Sequence, residues 1–364
     1  TVTIWGATTG PNGRVLHRTY DNWYRRMRVV VSPDGKRLAA RVGHDWVIRL
    51  WDLTSGKEIS PRNSPQYEDV AVSPDGTLVA LATARLGDRR VDIWEPLTRS
   101  ERYSIPVIED WSFVAAPFSH DSRLLLLLGR YGSASVWDCS LGRPRWALAD
   151  DPASYSPRAG ALSRDGRSLV MARGGMLKRF DLSTGECQSL QAESYDEYHA
   201  FWLTSVTYSP DGRWFASADE KGTVLLWDAR SGTVSRVLEE HTFRDNSFSC
   251  YASVLGFTDD STQLVGVRGS HVKRWDVATG KTLHQFPKPA PSLTFCPATN
   301  VLASRSGTRA LTLWSAQTGE PTKTISAAPQ RHWFRAQALS SDGRYLFTVN
   351  GNGTVYVFRL TGAK

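Results

Sequence analysis

A repeat that runs along the whole chain constrains this sequence more than any other feature. A short β-branched run ends in an aromatic residue that an acidic residue usually follows, as in Leu225-Leu226-Trp227-Asp228. The aromatic residues recur 39 to 48 positions apart by subtraction, at Trp5, Trp51, Trp94, Trp137, Phe180, Trp227, Trp275, Trp314 and Phe358. A fixed period over an entire sequence predicts one supersecondary unit per repeat.

Two turn motifs keep a constant phase with these aromatic residues. About twenty positions before each of them lies a Ser-Pro-Asp-Gly turn or a degenerate copy, such as Ser209-Pro210-Asp211-Gly212. About five positions after most of them lies a Thr-Gly or Ser-Gly turn, such as Ala278-Thr279-Gly280-Lys281. Asp and Gly tolerate the backbone conformations of tight turns, and Pro fixes φ at its turn position. The runs between turns are too short for helices, so each repeat is predicted to be four antiparallel strands.

These motifs resemble the WD-repeat β-propeller family, in which each repeat forms a four-stranded blade. The nearly missing Gly-His motif and the glycine-containing turns between the second and third strands resemble bacterial members. That resemblance implies an all-β propeller that forms the C-terminal region of a larger multidomain signalling protein, behind a kinase or nucleotide-switch domain.

The strand count predicts eight four-stranded antiparallel blades. Residues 14–20 are expected to close the ring as the outer strand of the last blade, and residues 1–5 are left over. A closed sheet removes an edge that would invite aggregation. The expected blades are 21–61, 62–106, 107–150, 151–191, 192–240, 241–287, 288–328, and 329–364 together with 14–20, all in one domain spanning 1–364.

The repeated aromatic residues are predicted to be structural, because a blade cannot bury its faces alone and large rings pack between neighbouring blades. This set comprises Trp51, Trp94, Trp137, Phe180, Trp227, Trp275, Trp314 and Phe358.

Enzymatic signatures are missing from the sequence. No zinc-protease, nucleophile-elbow or phosphate-loop motif is present, and the eight His residues never fall at metal-ligand spacing. The predicted inner strands hold too few ionisable residues for a catalytic ring. We therefore expect no catalytic residue, no cofactor and no metal in this chain, although a catalytic domain upstream is compatible with the resemblance.

Aromatic and basic residues cluster where the first strand of each repeat begins. Closure of the ring would bring the segment before the first repeat beside the segment before the last one. This predicted basic–aromatic site comprises Trp23, Tyr24, Arg25, Arg26, Arg28, Arg331, Trp333, Phe334 and Arg335. Arg and Trp are enriched in binding hot spots, and Arg forms bidentate contacts with carboxylates and phosphates. Other sectors of the same rim are acidic, namely Glu68-Asp69, Glu109-Asp110, Asp150-Asp151 and Asp196-Glu197.

A protein-interaction scaffold is the function that this pattern favours, with a peptide or partner domain, acidic or phosphorylated, bound on that face. The first alternative is a nucleic-acid-binding propeller, which the modest net charge of +8 over 364 residues disfavours. The second alternative is a hydrolase or lyase with a site in the channel. A membrane-bound protein is not expected, because no apolar run approaches about 18 residues.

Four widely spaced cysteines favour a reduced compartment, and hence a cytoplasmic location. The chain begins inside a strand-like run without an initiator Met, so we interpret it as a piece of a longer protein.

Overall fold

A computed structural model gives the fold of the chain. It describes residues 2–6, 14–15, 29–32, 36–41, 48–55, 57–60, 67–83, 90–95, 98, 100–106, 118–129, 133–149, 159–173, 176–190, 203–239, 252–268, 271–287, 293–306, 310–326, 334–339, 343, 345–350 and 355–360. The residues fall into two compact units. Unit 1 comprises Thr1–Glu109, Pro289–Ser315 and Glu320–Lys364, and unit 2 comprises Asp110–Lys288 and Ala316–Gly319.

Unit 1 contains four sheets. Two are antiparallel and run in chain order: β3 (Val29–Val31), β4 (Arg37–Arg41), β5 (Ile48–Asp52) and β6 (Lys57–Glu58); then β7 (Tyr67–Val72), β8 (Val79–Thr83), β9 (Arg90–Glu95) and β10 (Ser100–Pro106). A third has the same order, with β26 (Leu293–Cys296), β27 (Val301–Ser306), β28 (Ala310–Ser315) and β29 (Pro321–Ser326). The fourth, the terminal sheet, is formed by β1 (Val2–Gly6), β2 (Arg14–Val15), β30 (Phe334–Leu339), β31 (Tyr345–Asn350) and β32 (Val355–Arg359).

Unit 2 also contains four sheets, all antiparallel and in chain order. The first has β11 (Leu124–Leu128), β12 (Ala134–Asp138) and β13 (Arg143–Leu148); the second has β14 (Gly160–Leu162), β15 (Ser168–Arg173), β16 (Met176–Asp181) and β17 (Cys187–Leu190). The third has β18 (Leu203–Tyr208), β19 (Trp214–Asp219), β20 (Val224–Asp228) and β21 (Val234–Glu239). The fourth has β22 (Ala252–Phe257), β23 (Gln263–Arg268), β24 (His271–Asp276) and β25 (Thr282–Pro287).

The Ser-Pro-Asp-Gly motif forms the hairpin between the first and second strands of a sheet. In the sheet of β18–β21, Ser209 Oγ donates to Asp211 Oδ1 over 2.6 Å, and Asp211 Oδ1 also accepts from the Arg213 N–H over 3.0 Å. Gly212 has a φ of 72°, a left-handed conformation that glycine adopts without a steric penalty. The buried hydroxyl and the carboxylate thus satisfy the turn's own backbone, which explains why the motif recurs at this place.

Apolar residues of the middle strands form the core of each unit. In unit 2, one cluster joins Leu177 and Leu190 of the second sheet to Phe215, Leu225 and Trp227 of the third. In unit 1, a corresponding cluster joins Ile48 and Leu50 of β5 to Val79, Leu81 and Trp94 of the next sheet. Neighbouring sheets within a unit therefore bury each other's faces, as stacked repeats do.

The structure confirms an all-β chain built from propeller-type blades, but the prediction of eight four-stranded antiparallel blades is wrong. Among the described residues, seven sheets follow the blade plan, and six of these have all four strands. In the seventh, β11–β13, a bridge between Phe118 and Leu125 marks the position of the first strand. The terminal sheet is not an eighth blade of this kind, because it has five strands and includes a parallel pair.

The predicted closure by residues 14–20 is also wrong. The strand next to β32 is β1, the segment predicted to be left over, and it pairs in parallel from Val2 with Val355 to Gly6 with Arg359. Within 14–20 only β2 is described as a strand, and it pairs with β1 rather than with β32. The choice between the two segments depends on their contact with β32, more than 300 residues away in the chain, and not on the strand propensity of either segment.

Candidate functional site

Most residues of the predicted basic–aromatic site lie outside the described residues. These are Trp23, Tyr24, Arg25, Arg26, Arg28, Arg331 and Trp333. Phe334 and Arg335 are described by their backbone alone, at the start of β30, where Phe334 pairs with Asn350. The site itself therefore stays a prediction.

The strands that these segments enter are described, and they are neighbours within unit 1. Residues 23–28 lead directly into β3, and residues 331–333 lead directly into β30. Strands β3 and β30 lie side by side although about 300 residues separate them in the chain. Each is the first strand of its four-strand run, so the two strands hold equivalent positions in adjoining sheets.

The sequence predicts the acidic pair Glu68-Asp69 in another sector of the same rim. It is part of β7, and β7 also lies next to β3. Two acidic residues therefore belong to a strand adjacent to β3, the strand that residues 23–28 precede in the chain. The other predicted acidic pairs, Glu109-Asp110, Asp150-Asp151 and Asp196-Glu197, lie outside the described residues.

The repeated aromatic residues with described side chains are wholly or largely buried. Trp51, Trp227 and Trp275 are completely buried, Phe180 and Trp94 nearly so, and Trp137 and Trp314 partly. The side chain of Phe358 is outside the described set. Trp227 stacks on Phe215 with ring centroids 5.5 Å apart. These rings face neighbouring strands and leave little surface for a ligand.

Several of the indole N–H groups are bound by a serine that the sequence reading overlooked. Trp227 Nε1 donates to Ser217 Oγ over 2.9 Å, and Trp314 Nε1 donates to Ser304 Oγ over 2.8 Å. In both repeats the serine precedes the tryptophan by ten positions and lies on the second strand. A serine at that spacing is the signal that could have predicted the hydrogen bond.

The acidic residue after the aromatic residue builds a turn. Asp181 Oδ1 accepts hydrogen bonds from the Ser183 Oγ and from the backbone N–H groups of Ser183 and Thr184. The Ser183 hydroxyl and these backbone groups lower the pKa of Asp181 from 3.8 to about 2. The backbone N–H of Ser231 likewise lowers the pKa of Asp228, and the Thr279 hydroxyl lowers that of Asp276.

These capped carboxylates predict a loss of stability in acid. A carboxylate whose pKa is lower in the folded state stabilises the fold above its unfolded pKa, and that contribution disappears as the pH falls through the folded pKa. For Asp181 this window runs from 3.8 down to about 2. We expect the urea midpoint of the triple variant Asp181→Asn/Asp228→Asn/Asp276→Asn to fall less steeply over that window than the midpoint of the parent. Equal slopes would show that the turn carboxylates do not contribute.

Many basic residues of unit 2 are already engaged between sheets. Arg236 donates to the Ala278 carbonyl, and His284 Nε2 lies 2.6 Å from the Thr318 carbonyl. Gln188 on β17 makes the corresponding contact with the Ser231 carbonyl over 3.1 Å. In each case a fourth strand reaches the Thr-Gly or Ser-Gly turn of the next repeat. These side chains hold sheets together and are poor candidates for ligand recognition.

A charged cluster that the sequence analysis did not predict surrounds Glu239 at the end of β21. Its carboxylate forms ion pairs with Lys273 and with Arg268, the latter over 3.3 Å, and accepts the Trp275 N–H over 3.3 Å. Nearby, the buried Asp219 caps the β19–β20 turn by accepting from the backbone N–H groups of Lys221 and Thr223. Positive and negative charges balance in this cluster, so it joins two sheets and offers no net charge to a ligand.

The described ranges contain no group of three or more His, Cys, Asp or Glu residues placed to hold a metal ion. No helix within those ranges is long and apolar enough to cross a membrane.

Comparisons with known proteins agree with this architecture. Residues 194–228, which span β18–β20, match the family described as WD domain, G-beta repeat. The chain is 27% identical over 201 residues to nuclear distribution protein nudF of Emericella nidulans, which covers 55% of this chain and 38% of that protein. It is 23% identical over 288 residues to actin-interacting protein 1 of Drosophila melanogaster, covering 74% of this chain and 43% of that protein.

A third relative is COMPASS component SWD3 of Saccharomyces cerevisiae, 23% identical over 270 residues, with 70% of this chain and 81% of that protein covered. The chain spans about four-tenths of the length of nudF and of the similar nuclear distribution proteins. These relatives are eukaryotic, so the comparisons do not support the expected bacterial type. The family model matches one segment, residues 194–228, and so does not support the count of eight repeats. The matched repeat and these relatives show that the chain is similar to proteins of the WD40-repeat family.

Proposed function

We propose that this chain is a protein-interaction scaffold that binds an acidic or phosphorylated segment of a partner protein. The binding site is formed by residues 23–28 and 331–335, where the chain enters β3 and β30. The observation that carries the proposal is the side-by-side position of these two strands in unit 1. The two segments that precede these strands in the chain contain five arginines and four aromatic residues.

The composition of these segments suits a negatively charged ligand. Arginine forms bidentate, charge-assisted hydrogen bonds with carboxylates and phosphates, and buried aromatic anchors supply much of the energy of protein interfaces. Strand β7 also lies next to β3, and its sequence contains the acidic residues Glu68 and Asp69. An acidic ligand is therefore expected to extend from β3 towards β30 rather than towards β7.

The relatives support the class of function and leave the partner open. One is named for its interaction with actin and another as a component of the COMPASS assembly. Both names describe proteins that work by contact with other proteins. A non-catalytic role is also favoured by the first strands, in which Glu68, Asp69 and Arg335 are the charged residues within β3, β7, β14, β18, β22, β26 and β30.

Charge reversal tests the site. We expect Arg25→Glu/Arg335→Glu to weaken binding to an array of acidic and phosphoserine peptides by roughly tenfold or more, equivalent to about 1.4 kcal/mol. Arg143→Glu/Arg145→Glu is the matched control, because both arginines are exposed on β13 of unit 2 and the change in net charge is the same. This control should bind within about twofold of the parent.

Three results would contradict the proposal. These are no binding of any array peptide by the parent, an equal loss of affinity in the two double variants, and parent-like binding by Arg25→Glu/Arg335→Glu. Binding of single-stranded oligonucleotides that falls steeply with salt would instead assign these arginines to nucleic-acid binding.

A further inference from the structure

The hydrogen bonds of the repeated tryptophans divide the sheets into two groups. Six third strands contain a tryptophan with a described side chain, namely Trp51, Trp94, Trp137, Trp227, Trp275 and Trp314. The last four donate the indole N–H to a serine or to Glu239. In the part of the chain that the structure describes, the buried N–H groups of Trp51 and Trp94 have no acceptor. Both of these residues lie in unit 1, in consecutive sheets.

The missing acceptor of Trp51 has a cause in the sequence. In the sheet of β18–β21, Ser217 pairs with the residue two positions before Trp227 and accepts its N–H. In the sheet of β3–β6, Ala40 holds the same register position relative to Trp51. Ala40 and Trp51 are both completely buried. The methyl group of Ala40 cannot accept a hydrogen bond, so the Trp51 N–H is buried without compensation.

A buried N–H without an acceptor favours opening of its sheet. Such a group has lost its hydrogen bonds to water and regains them when the sheet opens. Opening of the β18–β21 sheet instead breaks a hydrogen bond, because Trp227 and Ser217 separate. The difference of one hydrogen bond therefore shifts the opening equilibrium of the β3–β6 sheet towards its open state.

The outer strand of the same sheet is held by few backbone bonds. Strand β6 has two residues, whereas the outer strands of the six other sheets that follow the blade plan have four to seven. Beyond β6, the Ile59 N–H donates to the Leu50 carbonyl over 2.8 Å, and the Leu50 N–H donates to the side chain of Ser60 over 3.0 Å. A short ladder of this kind is typical of regions that open locally.

We propose that the sheet of β3–β6 is a local opening site of unit 1, at which β6 separates from β5 while the other sheets stay folded. The alanine at position 40 makes this opening easy, because it leaves the Trp51 N–H without an acceptor. Ala40→Ser supplies the acceptor at the register position that Ser217 holds in the sheet of β18–β21, and it therefore closes the site.

Native-state hydrogen exchange of the full chain tests the opening. Exchange is followed by mass spectrometry of peptic peptides from residues 37–52 and 213–228, at rising urea concentrations below the unfolding transition. Local opening exposes little surface, so exchange of residues 37–52 should depend only weakly on urea, and exchange of residues 213–228 should rise more steeply. An equal urea dependence of the two segments would overturn the proposal, because the β3–β6 sheet would then open only together with the rest of the fold.

Substitution of the acceptor position tests the cause. Ala40→Ser should slow the exchange of residues 37–52 by roughly tenfold, the order of effect expected when a buried donor gains its partner. Ala39→Ser is the matched control, because Ala39 is also completely buried on β4 but faces the opposite side of the strand. Its hydroxyl cannot reach Trp51, so it should not slow exchange. Ser217→Ala should speed the exchange of residues 213–228, since it removes an acceptor.

The Trp51→Phe background shows whether the indole N–H is responsible. A phenyl ring keeps an aromatic side chain at this position but has no N–H to donate, so Ala40→Ser should lose its effect there. Unchanged or faster exchange in Ala40→Ser, or equal slowing with Trp51 and with Phe at position 51, would overturn the proposal. These results are independent of the peptide-binding test, since none of the substituted residues lies in segments 23–28 or 331–335.

Discussion

Trp227→Ala is expected to lower the free energy of unfolding by about 3–5 kcal/mol, the usual cost of truncating a buried Trp. Trp227 is completely buried, stacks on Phe215 with ring centroids 5.5 Å apart and donates its indole N–H to Ser217. It belongs to the cluster that joins the sheet of β14–β17 to that of β18–β21. Its loss therefore leaves a cavity between two sheets of unit 2.

Urea denaturation followed by far-ultraviolet circular dichroism measures this effect. Leu283→Ala is the control, because Leu283 lies on β25 of the same unit and is 49% exposed. It should change the free energy of unfolding by less than about 0.5 kcal/mol, as surface substitutions usually do. Trp227→Phe should fall between the two, since it keeps a ring on Phe215 but loses the hydrogen bond. A Trp227→Ala variant as stable as the parent would contradict the core role of this residue.

Gly319→Ala is the second substitution for which we expect a large effect, about 2–5 kcal/mol of lost stability. Gly319 has a φ of 73°, where an L residue is strained, and an added Cβ would lie 2.5 Å from Cδ1 of the Phe286 ring. Phe286 is 7% exposed and cannot swing into solvent without uncovering the core. The cost thus combines backbone strain with overpacking.

Gly185→Ala separates these two contributions. Gly185 occupies the same turn in another repeat with a φ of 78°, but an added Cβ meets no atom within 4 Å. We expect it to cost only the left-handed backbone strain, about 1–2 kcal/mol. If both variants lost the same stability in parallel denaturation curves, the contact between the turn and Phe286 would not contribute to stability.

The amino-acid sequence alone determined the repeating unit. The period of the aromatic residues and the two turn motifs predicted four short strands per repeat, and the hairpins at Ser209–Gly212 and Asp181–Gly185 lie where the motifs placed them. These features depend on residues close together in the chain. A Ser hydroxyl, an Asp carboxylate and a Gly at positive φ form each turn with little help from the rest of the molecule.

The way the chain ends meet was decided by the tertiary structure alone. Residues 2–6 and 14–20 both have strand-forming composition, and the sequence offered no reason to prefer the first. The choice depends on which segment best covers the edge of β32, more than 300 residues away, and that competition between distant partners has no local signal. The same holds for Glu239, whose ion pairs join two repeats, and for the closeness of β7 to β3, since both arise from contacts between sheets and not within one.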